Sequence, residues 1–406
     1  MYGRLERMTP TLNPNGYVTW AAPTAPAYVA QRWINTELPW HCHTKMRRVQ
    51  NSHSYGLTWE FIAFMSITCA VTLLPTLALS ITPVFVLPGL APSSWFENLA
   101  VRPNGLILAT RGDAPEIWQV NPATGQGTKL VSVTGAFNLT GIAEIAPGRC
   151  HLQKQKCEET YVFGSSYIPA PLQVDPGSAK VWTLRFGHGI APTVSLVAEL
   201  PGAGFINGVA AWGPRRVLLG DTVEEAVYLM DVDTGLFTTP LTNMTGINGV
   251  QTAPGYIYWA NHALQSLSRI PVDDNAFPTG PAEILARDQA IDDFAVATDE
   301  SGSGRAFIGA MYDNAVVQVV FGPPPNPEVG LKTVIAGNLS GTGVGLCTVV
   351  VFGRRAEDVD VLYASRYLPV ACFMYILPML ASKPQSPALL FRSFPISHTK
   401  PQNPWL

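Results

Sequence analysis

Short apolar stretches with alternating polar positions recur along the middle of the chain, between about residues 95 and 363. The segment WFENLAVRPNGLILATRGDAPEIWQVNPATGQGTKLVSV divides into four such stretches, separated by turns rich in Pro, Asn and Gly. Their period of two residues predicts β-strands rather than helices. The same plan returns in FINGVAAWGPRRVLLGDTVEEAVYLMDVDTGLFTTPL, in INGVQTAPGYIYWANHALQSLSRIPV and in IDDFAVATDESGSGRAFIGAMYDNAVVQVVF. We therefore predict repeated units of four antiparallel strands.

Two further units complete the pattern. One contains FNLTGIAEI, TYVFGSSY and AKVWTLRFG, and the other begins with GLCTVVVFGRR and DVLYAS. Packing such units radially around a channel buries both faces of each sheet and protects its edges. We therefore predict an all-β fold, a six-bladed β-propeller with four-stranded antiparallel blades, over residues 84–372. The last unit lacks two strands, for which residues 84–87 and the stretch VACFMYIL are the candidates.

The segments that flank the propeller are different in composition. Residues 1–60 form a predicted N-terminal extension. No charged residue occurs from Phe61 to Leu90, and the basic pair Arg47 and Arg48 precedes this stretch, so residues 61–80 are predicted to be a signal peptide or a signal anchor. Ala78 and Ser80 favour cleavage, which would leave no stable membrane span and place the protein in the secretory pathway or outside the cell. Residues 373–406 are predicted to be a disordered tail.

The composition excludes several classes of protein. Of 406 residues, 47% are hydrophobic and 14% are charged, with a formal net charge of −3, so the chain is globular and offers no basic face to nucleic acid. No Cys-x-x-Cys pair or cluster of histidines suits zinc or an iron-sulfur cluster. We predict a monomer without a nucleotide or flavin cofactor.

Two kinds of covalent modification are predicted for the secreted chain. Cys150 and Cys157 flank the polar stretch HLQKQK and could close it with a disulfide in an oxidising compartment; two free thiols are the alternative. The triplets that begin at Asn138, Asn243 and Asn338 fit the acceptor pattern for N-glycosylation.

A polar residue begins the innermost strand of each predicted blade, where the strands meet at the mouth of the channel. These residues are Glu97, Thr140, Asn207, Asn248 and Asp292, and in the last blade the position lies in the neighbourhood of Thr348. Carboxylate and amide oxygens suit Ca²⁺, which takes six to eight oxygen ligands, so Glu97, Asn207, Asn248 and Asp292 are a predicted metal site. The alternative is that these side chains satisfy nearby backbone groups in ordinary turns.

With Glu97, Asn207, Asn248, Asp292 and the stretch TVVVFG, the blades resemble the six-bladed propellers of the senescence-marker-protein, gluconolactonase and luciferin-regenerating-enzyme group. The resemblance covers about two thirds of the chain. It implies that these four residues bind a divalent cation and that Asp292 acts as the catalytic base.

The phrase WFENLAVRPNGLILATRGDAPEIWQVNP resembles more specifically a fungal secreted branch of that superfamily, which includes hetero-Diels-Alderases. This resemblance implies an enzyme of secondary metabolism that joins a polyketide-derived quinone methide to a terpene, with a small hydrophobic metabolite as its partner. Thr140, Phe205, Trp259 and Asp293 are the predicted pocket residues. A metal-dependent lactonase or esterase and a non-catalytic binding propeller are the alternatives.

Overall fold

The computed structural model describes residues 10–12, 18–20, 82–87, 94–150, 157–166, 174–187, 191–325, 329–338, 344–366 and 373–378. The chain divides into two compact units, Met1–Val71 and Thr72–Leu406. In the first unit, β1 (Pro10–Leu12) and β2 (Val18–Trp20) form an antiparallel pair. The predicted signal segment at residues 61–80 lies outside the described residues. No helix within the described ranges has the length and apolar character needed to cross a membrane.

Five sheets of the second unit each consist of four consecutive antiparallel strands, which we number blades 1 to 5. Blade 1 consists of β4 (Phe96–Val101), β5 (Ile107–Arg111), β6 (Glu116–Asn121) and β7 (Gln126–Ser132), and blade 2 consists of β8 (Ile142–Cys150), β9 (Cys157–Ser165), β10 (Lys180–Phe186) and β11 (Thr193–Glu199). Blade 3 consists of β12 (Ile206–Ala211), β13 (Arg216–Asp221), β14 (Ala226–Asp231) and β15 (Phe237–Leu241), and blade 4 consists of β16 (Ile247–Ala253), β17 (Tyr256–Asn261), β18 (Ser266–Pro271) and β19 (Glu283–Ala286). Blade 5 consists of β20 (Phe294–Thr298), β21 (Gly304–Ala310), β22 (Ala315–Phe321) and β23 (Leu331–Gly337), with a short 3₁₀ helix at Met311–Asp313. The prediction of an all-β propeller with four-stranded antiparallel blades is confirmed.

A further four-stranded sheet, here called the closing sheet, combines strands from both ends of the second unit. Its strands are β24 (Cys347–Phe352), β25 (Val361–Arg366), β26 (Phe373–Pro378) and β3 (Thr82–Val86), in that order. Because β26 pairs with both β25 and β3, the predicted propeller boundary at residue 372 and the predicted tail from residue 373 are corrected: Phe373–Pro378 belong to a sheet. The rest of the predicted tail lies outside the described residues.

The blades pack against one another through apolar side chains on both faces. β13 and β14 are buried along nearly their whole length, whereas the outermost strand β11 is mostly exposed or half-buried. One apolar cluster joins β3 and the closing sheet to blade 1, and another joins the closing sheet to blade 5. Burial of apolar area between radial sheets is therefore the main source of stability for this architecture.

Hydrogen bonds link neighbouring sheets around the channel, most of them between the inner strands or the residues just before them, and one from Thr110 in β5. They run from Gly141 N to Asn207 O (2.8 Å), from Gly249 N to Asp292 O (3.2 Å), from Asp293 N to Thr348 O (2.9 Å), from Thr348 Oγ1 to Phe96 O (2.9 Å) and from Thr110 Oγ1 to Thr140 O (2.7 Å). Blades 3 and 4 are equally close, since a Cβ at Gly208 would lie 2.6 Å from Asn248 O. The inner strands thus form a tight hydrogen-bonded belt, which fixes the level of each strand relative to its neighbours.

Strand β3 holds the closing sheet against blade 1 through Phe85, which is 8% exposed and packs its ring 6.4 Å from Phe96 and 6.2 Å from Trp118. We expect Phe85→Ala to lower the free energy of unfolding by about 3 kcal/mol, because it leaves a cavity in this core. Urea unfolding checks the prediction. Val86→Ala, on a residue that is 42% exposed, is the matched control and should cost well under half as much. Equal effects of the two changes would show that β3 does not pack into the propeller.

Candidate functional site

The six polar residues predicted at the channel mouth occupy equivalent places in their sheets. Glu97, Asn207, Asn248 and Thr348 are the second residues of β4, β12, β16 and β24, and Thr140 and Asp292 lie two residues before β8 and β20. The hydrogen-bonded belt aligns these places at one level around the channel. We call this set of six residues the mouth ring.

Asp292 is the most perturbed acid of the mouth ring and is 8% exposed. Burial raises the pKa of its carboxyl well above the ordinary value, the charges of Glu97 and Asp293 raise it further, and a hydrogen bond with the Asn248 side chain acts in the opposite direction. Asn248 from blade 4 is therefore hydrogen-bonded to Asp292 from blade 5, and Glu97 from blade 1 is near enough for its charge to act on the Asp292 carboxyl.

Glu97 is oriented by its neighbour two residues earlier. Trp95 Nε1 donates a 2.6 Å hydrogen bond to Glu97 Oε2. Burial raises the pKa of the Glu97 carboxyl, and the indole hydrogen bond lowers it by a smaller amount. Trp95 thus fixes the position of one oxygen of the Glu97 carboxylate.

Asp293 completes an acidic cluster with Glu97 and Asp292. Burial raises its pKa to about 7, the charge of Glu97 adds to this, and hydrogen bonds from the Phe294 amide, Asn98 and Gln251 lower it. Within the described part of the chain, no basic side chain is among the main influences on the pKa of these three acids. The cluster is therefore an uncompensated acidic environment, suited to protons or to a bound cation.

Two of the other predicted pocket residues, Thr140 and Trp259, make contacts between blades. Thr140 is 1% exposed, and its hydroxyl donates to Ile206 O (2.7 Å) in blade 3. Trp259 is 7% exposed and belongs to the apolar cluster between blades 3 and 4. Phe205 is half-buried, and its backbone amide donates to Asp221 Oδ1 (3.0 Å). For Thr140 and Trp259 the pocket prediction is corrected, because inter-blade contacts cover both side chains.

Sequence reasoning missed Asn98 and Gln251, which both bind Asp293. A signal for Asn98 was present, since the adjacent polar pair Glu97-Asn98 in blade 1 stands where blade 5 has Asp292-Asp293. Gln251 carried no such signal, because it follows two apolar positions inside β16.

The modification sites fall into two groups. Asn138 is 4% exposed, its Oδ1 accepts a hydrogen bond from Ser166 N (3.0 Å), and its Nδ2, the atom to which a glycan would attach, is buried. Glycosylation at Asn138 therefore does not fit the folded chain. Asn243 and Asn338 are exposed, and their glycosylation stays a prediction. Cys150 and Cys157 are directly opposite in the β8–β9 pair, and their disulfide also stays a prediction.

The predicted cation site depends on amide as well as carboxylate oxygens. Among the described residues, no group of three or more His, Cys, Asp and Glu side chains forms a metal site. The predicted set has two carboxylates, from Glu97 and Asp292, with the amides of Asn207 and Asn248. Because the two carboxylates repel each other without a basic partner, these residues fit a hard divalent cation in charge and in donor type.

The pKa of Asp293 predicts how stability depends on pH. Its carboxyl keeps a proton up to about pH 7 in the folded chain but releases it near 3.8 when exposed. Between these two pH values the folded chain binds more protons at Asp293 than the unfolded chain does. The contribution of this carboxyl to the free energy of unfolding is therefore fully present below about pH 4 and is lost as the pH rises to about 7. Relative to wild type, Asp293→Asn should remove a downward slope of about 1 kcal/mol per pH unit in urea unfolding. Asp288→Asn, on an exposed residue of the same loop, should retain the wild-type slope; a slope unchanged in Asp293→Asn would contradict the prediction.

Together, the fold and the mouth ring define a β-propeller with a buried acidic site at one end of its channel. No family model matches the chain. It is 25% identical over 319 residues to asR5 of Sarocladium schorii, provisionally named a hetero-Diels-Alderase, covering 67% of this chain and 75% of that one. It is 23% identical over 312 residues to a protein of a Phoma species with the same provisional name, covering 67% and 83%. The crystal structure of a luciferin-regenerating enzyme superposes with a TM-score of 0.54 at 12% identity, covering 76% and 98%, and this likeness concerns the fold alone.

Proposed function

We propose that this protein is a small-molecule enzyme of secondary metabolism that catalyses a hetero-Diels-Alder cyclisation at the mouth ring, joining a polyketide-derived quinone methide to a terpene alkene. The observation that carries the proposal is the meeting of Glu97, Asn248 and Asp292 in a buried acidic site. Two relatives that match 67% of the chain and carry the cyclase name support it.

The chemistry requires positioning and a hydrogen-bond donor rather than a nucleophile. One carbon–carbon and one carbon–oxygen bond form together from the heterodiene and the alkene, and no group leaves. A donor at the heterodiene oxygen stabilises the charge that develops there. Asp292 in its protonated form is the donor in this proposal, and the Asn248 amide holds the carboxyl in place. Holding the two apolar partners together supplies the remaining acceleration.

Stereochemistry gives the direct test. An ortho-hydroxybenzyl alcohol, which loses water to give the quinone methide before the cycloaddition, is incubated with a cyclic sesquiterpene alkene and the purified chain. The expected result is one enantiomer of the adduct in large excess, formed faster than with heat-inactivated protein. A racemic adduct at the background rate, over a panel of precursors, would exclude the cyclase.

A metal-dependent lactonase is the second candidate, and the uncompensated pair of Glu97 and Asp292 favours it. Glu97, Asp292 and the amides of Asn207 and Asn248 would hold a divalent cation, which would polarise a lactone carbonyl. In this case Ca²⁺ at about 100 times its Kd should stabilise the fold by about 2.7 kcal/mol. Thermal unfolding with Ca²⁺ and with EDTA measures this directly. The shift should vanish in Glu97→Gln and persist in the control Glu357→Gln, whose side chain is exposed; no shift in wild type would exclude this candidate.

We also infer that the closing sheet is the sixth blade. Blade 5 is joined to this sheet by a hydrogen bond from Asp293 N to Thr348 O. The sheet is joined to blade 1 by a hydrogen bond from Thr348 Oγ1 to Phe96 O. The mouth ring is then a complete circle to which every blade contributes one residue.

Our proposal for the location of the protein is the secretory pathway or the extracellular space, where it acts as a monomer. The opposed Cys150 and Cys157 and the exposed Asn243 and Asn338 support the secretory location. The intact mass of the chain secreted by a eukaryotic host tests it. We expect the mass of the chain to be increased by glycans, and this increase should be absent in Asn243→Gln/Asn338→Gln. We also expect the loss of two hydrogens through the disulfide, which should be absent in Cys157→Ser. An unglycosylated, fully reduced chain retained in the cytosol would contradict it.

A further inference from the structure

One residue deeper than the mouth ring, two polar side chains meet across the channel. Asn98 follows Glu97 in blade 1, and Asp293 follows Asp292 in blade 5, so they share one level. Their conformations match: Asn98 Oδ1 accepts from the next backbone amide, Leu99 N (2.8 Å), and Asp293 Oδ1 accepts from Phe294 N (2.7 Å). The second polar atom of each side chain forms a hydrogen bond with the other, in which Asn98 Nδ2 donates to Asp293 Oδ2 (2.6 Å).

This hydrogen bond spans two blades that are not neighbours. The closing sheet lies between them, since Asp293 N donates to Thr348 O and Thr348 Oγ1 donates to Phe96 O. Asn98 and Asp293 are 7% and 5% exposed, whereas Glu97 and Asn248 above them are half-buried. Asn207 and Asp292 of the mouth ring are each 8% exposed, so the Asn98–Asp293 pair is shielded from solvent to the same extent as these two residues.

Among the described residues, the other sheets have no polar side chain at the corresponding sequence position, although Gln251 of blade 4, two residues beyond Gly249, also forms a hydrogen bond with Asp293. Blades 2, 3 and 4 carry Gly141, Gly208 and Gly249, and a Cβ on Gly249 would lie 2.3 Å from Asp293 Oδ1. In the closing sheet the corresponding Val349 is 1% exposed and belongs to an apolar cluster with Phe96. The Asn98–Asp293 pair therefore occupies this level. Gly249 leaves room for Asp293, whereas Gly141 and Gly208 allow the backbone of the next blade to approach closely.

We propose that the Asn98–Asp293 hydrogen bond is the floor of the substrate pocket and determines how deep a substrate ring can extend into the channel. This inference rests on the proposed function, because it places the ring oxygen at the mouth ring and the opposite edge of the ring against the floor. The pair then selects for substrates without a bulky substituent opposite that oxygen. Both residues are specificity determinants rather than catalytic groups.

The matched geometry allows a swap of the two side chains. In Asn98→Asp, two carboxyl groups face each other, and in Asp293→Asn, two amide groups do. In the double variant Asn98→Asp/Asp293→Asn, each Oδ1 can keep its backbone amide and the hydrogen bond forms again in reverse, with no change in net charge; the Gln251 amide, which binds Asp293 in wild type, can rotate to present its oxygen to the new amide. Asn98→Gly makes blade 1 resemble blades 2 to 4 and opens the floor. Asn243→Gly, at an exposed turn with φ of 60°, is the control for the loss of an asparagine side chain.

The probes are ortho-hydroxybenzyl alcohols with hydrogen, methyl, ethyl or propyl opposite the hydroxyl group. Kd is measured by calorimetry, and KM and kcat are measured in the cyclisation assay. In wild type, affinity should fall as the substituent lengthens. In Asn98→Gly it should rise by about fourfold per added methylene, because the chain enters the opened channel. Each single swap should weaken binding of the unsubstituted probe by about tenfold, and the double variant should restore it.

The outcomes separate the floor from the reaction. The floor is supported if Asn98→Gly reverses the preference for substituent length and the double variant regains the wild-type affinity. This holds even if no adduct forms; in that case only the proposed cyclase reaction is wrong. If Asn98→Gly does not fold, the two single swaps and the double variant decide. The inference is overturned if the double variant binds no better than the single swaps, if Asn243→Gly alters the length preference equally, or if no probe binds to wild type.

Discussion

Replacing Asp292 by alanine should lower kcat for cyclisation by about 100-fold, because it removes the donor to the heterodiene oxygen from a buried site. Asp292→Asn keeps an N–H donor of weaker acidity, so the expected loss is about tenfold. The measurement is the rate of formation of the single enantiomer, with circular dichroism to verify the fold. Asp288→Asn, four residues earlier on the exposed part of the loop, is the control and should react at the wild-type rate.

The same variants distinguish the two candidate reactions. A lactonase needs Asp292 as cation ligand and base, so alanine and asparagine should abolish hydrolysis alike. A graded loss supports the cyclase, and an equal, complete loss together with a Ca²⁺-dependent shift in unfolding supports the lactonase. Wild-type activity of Asp292→Ala in both assays would show that the mouth ring is not the active site.

The largest effect on stability is expected at Arg269, whose side chain is fully buried between blades 4 and 5. Its Nη2 lies 2.8 Å from Glu283 Oε2 and donates to Gly322 O (3.2 Å), and its Nη1 donates to Gly302 O (2.8 Å). Arg269→Met keeps much of the volume but leaves Glu283 and two carbonyl groups without this partner. The expected loss is about 3 to 5 kcal/mol in the free energy of unfolding.

Urea unfolding measures this loss, with Arg215→Met as the control. Arg215 also pairs with a carboxylate, that of Asp233, but its side chain is 58% exposed, so we expect a change below about 1 kcal/mol. Similar effects for Arg215 and Arg269 would mean that burial of the guanidinium is not what makes it stabilising. Arg269→Lys should recover little, because an ammonium group cannot reach all three acceptors in the plane of the guanidinium.

The amino-acid sequence determined the strands, the four-strand units and the level of the mouth ring. Alternation of apolar and polar residues is a local property, and a repeated unit puts the same position in the same place each time. The adjacent pairs Glu97-Asn98 and Asp292-Asp293 could therefore be aligned before any coordinates. The proposal that residues 84–87 and VACFMYIL complete the last sheet also came from this count of missing strands.

Only the tertiary structure decided which side chains meet. Asn98 and Asp293 are 195 residues apart in sequence, and their hydrogen bond depends on how far each blade turns about the channel axis. Thr140 and Trp259 are directed into inter-blade contacts, and Asn138 is buried, for the same reason. The sequence pattern specifies which face of a strand is apolar. The neighbour that this face meets is set by long-range packing, so pocket, floor and glycan sites could not be separated from core positions by sequence alone.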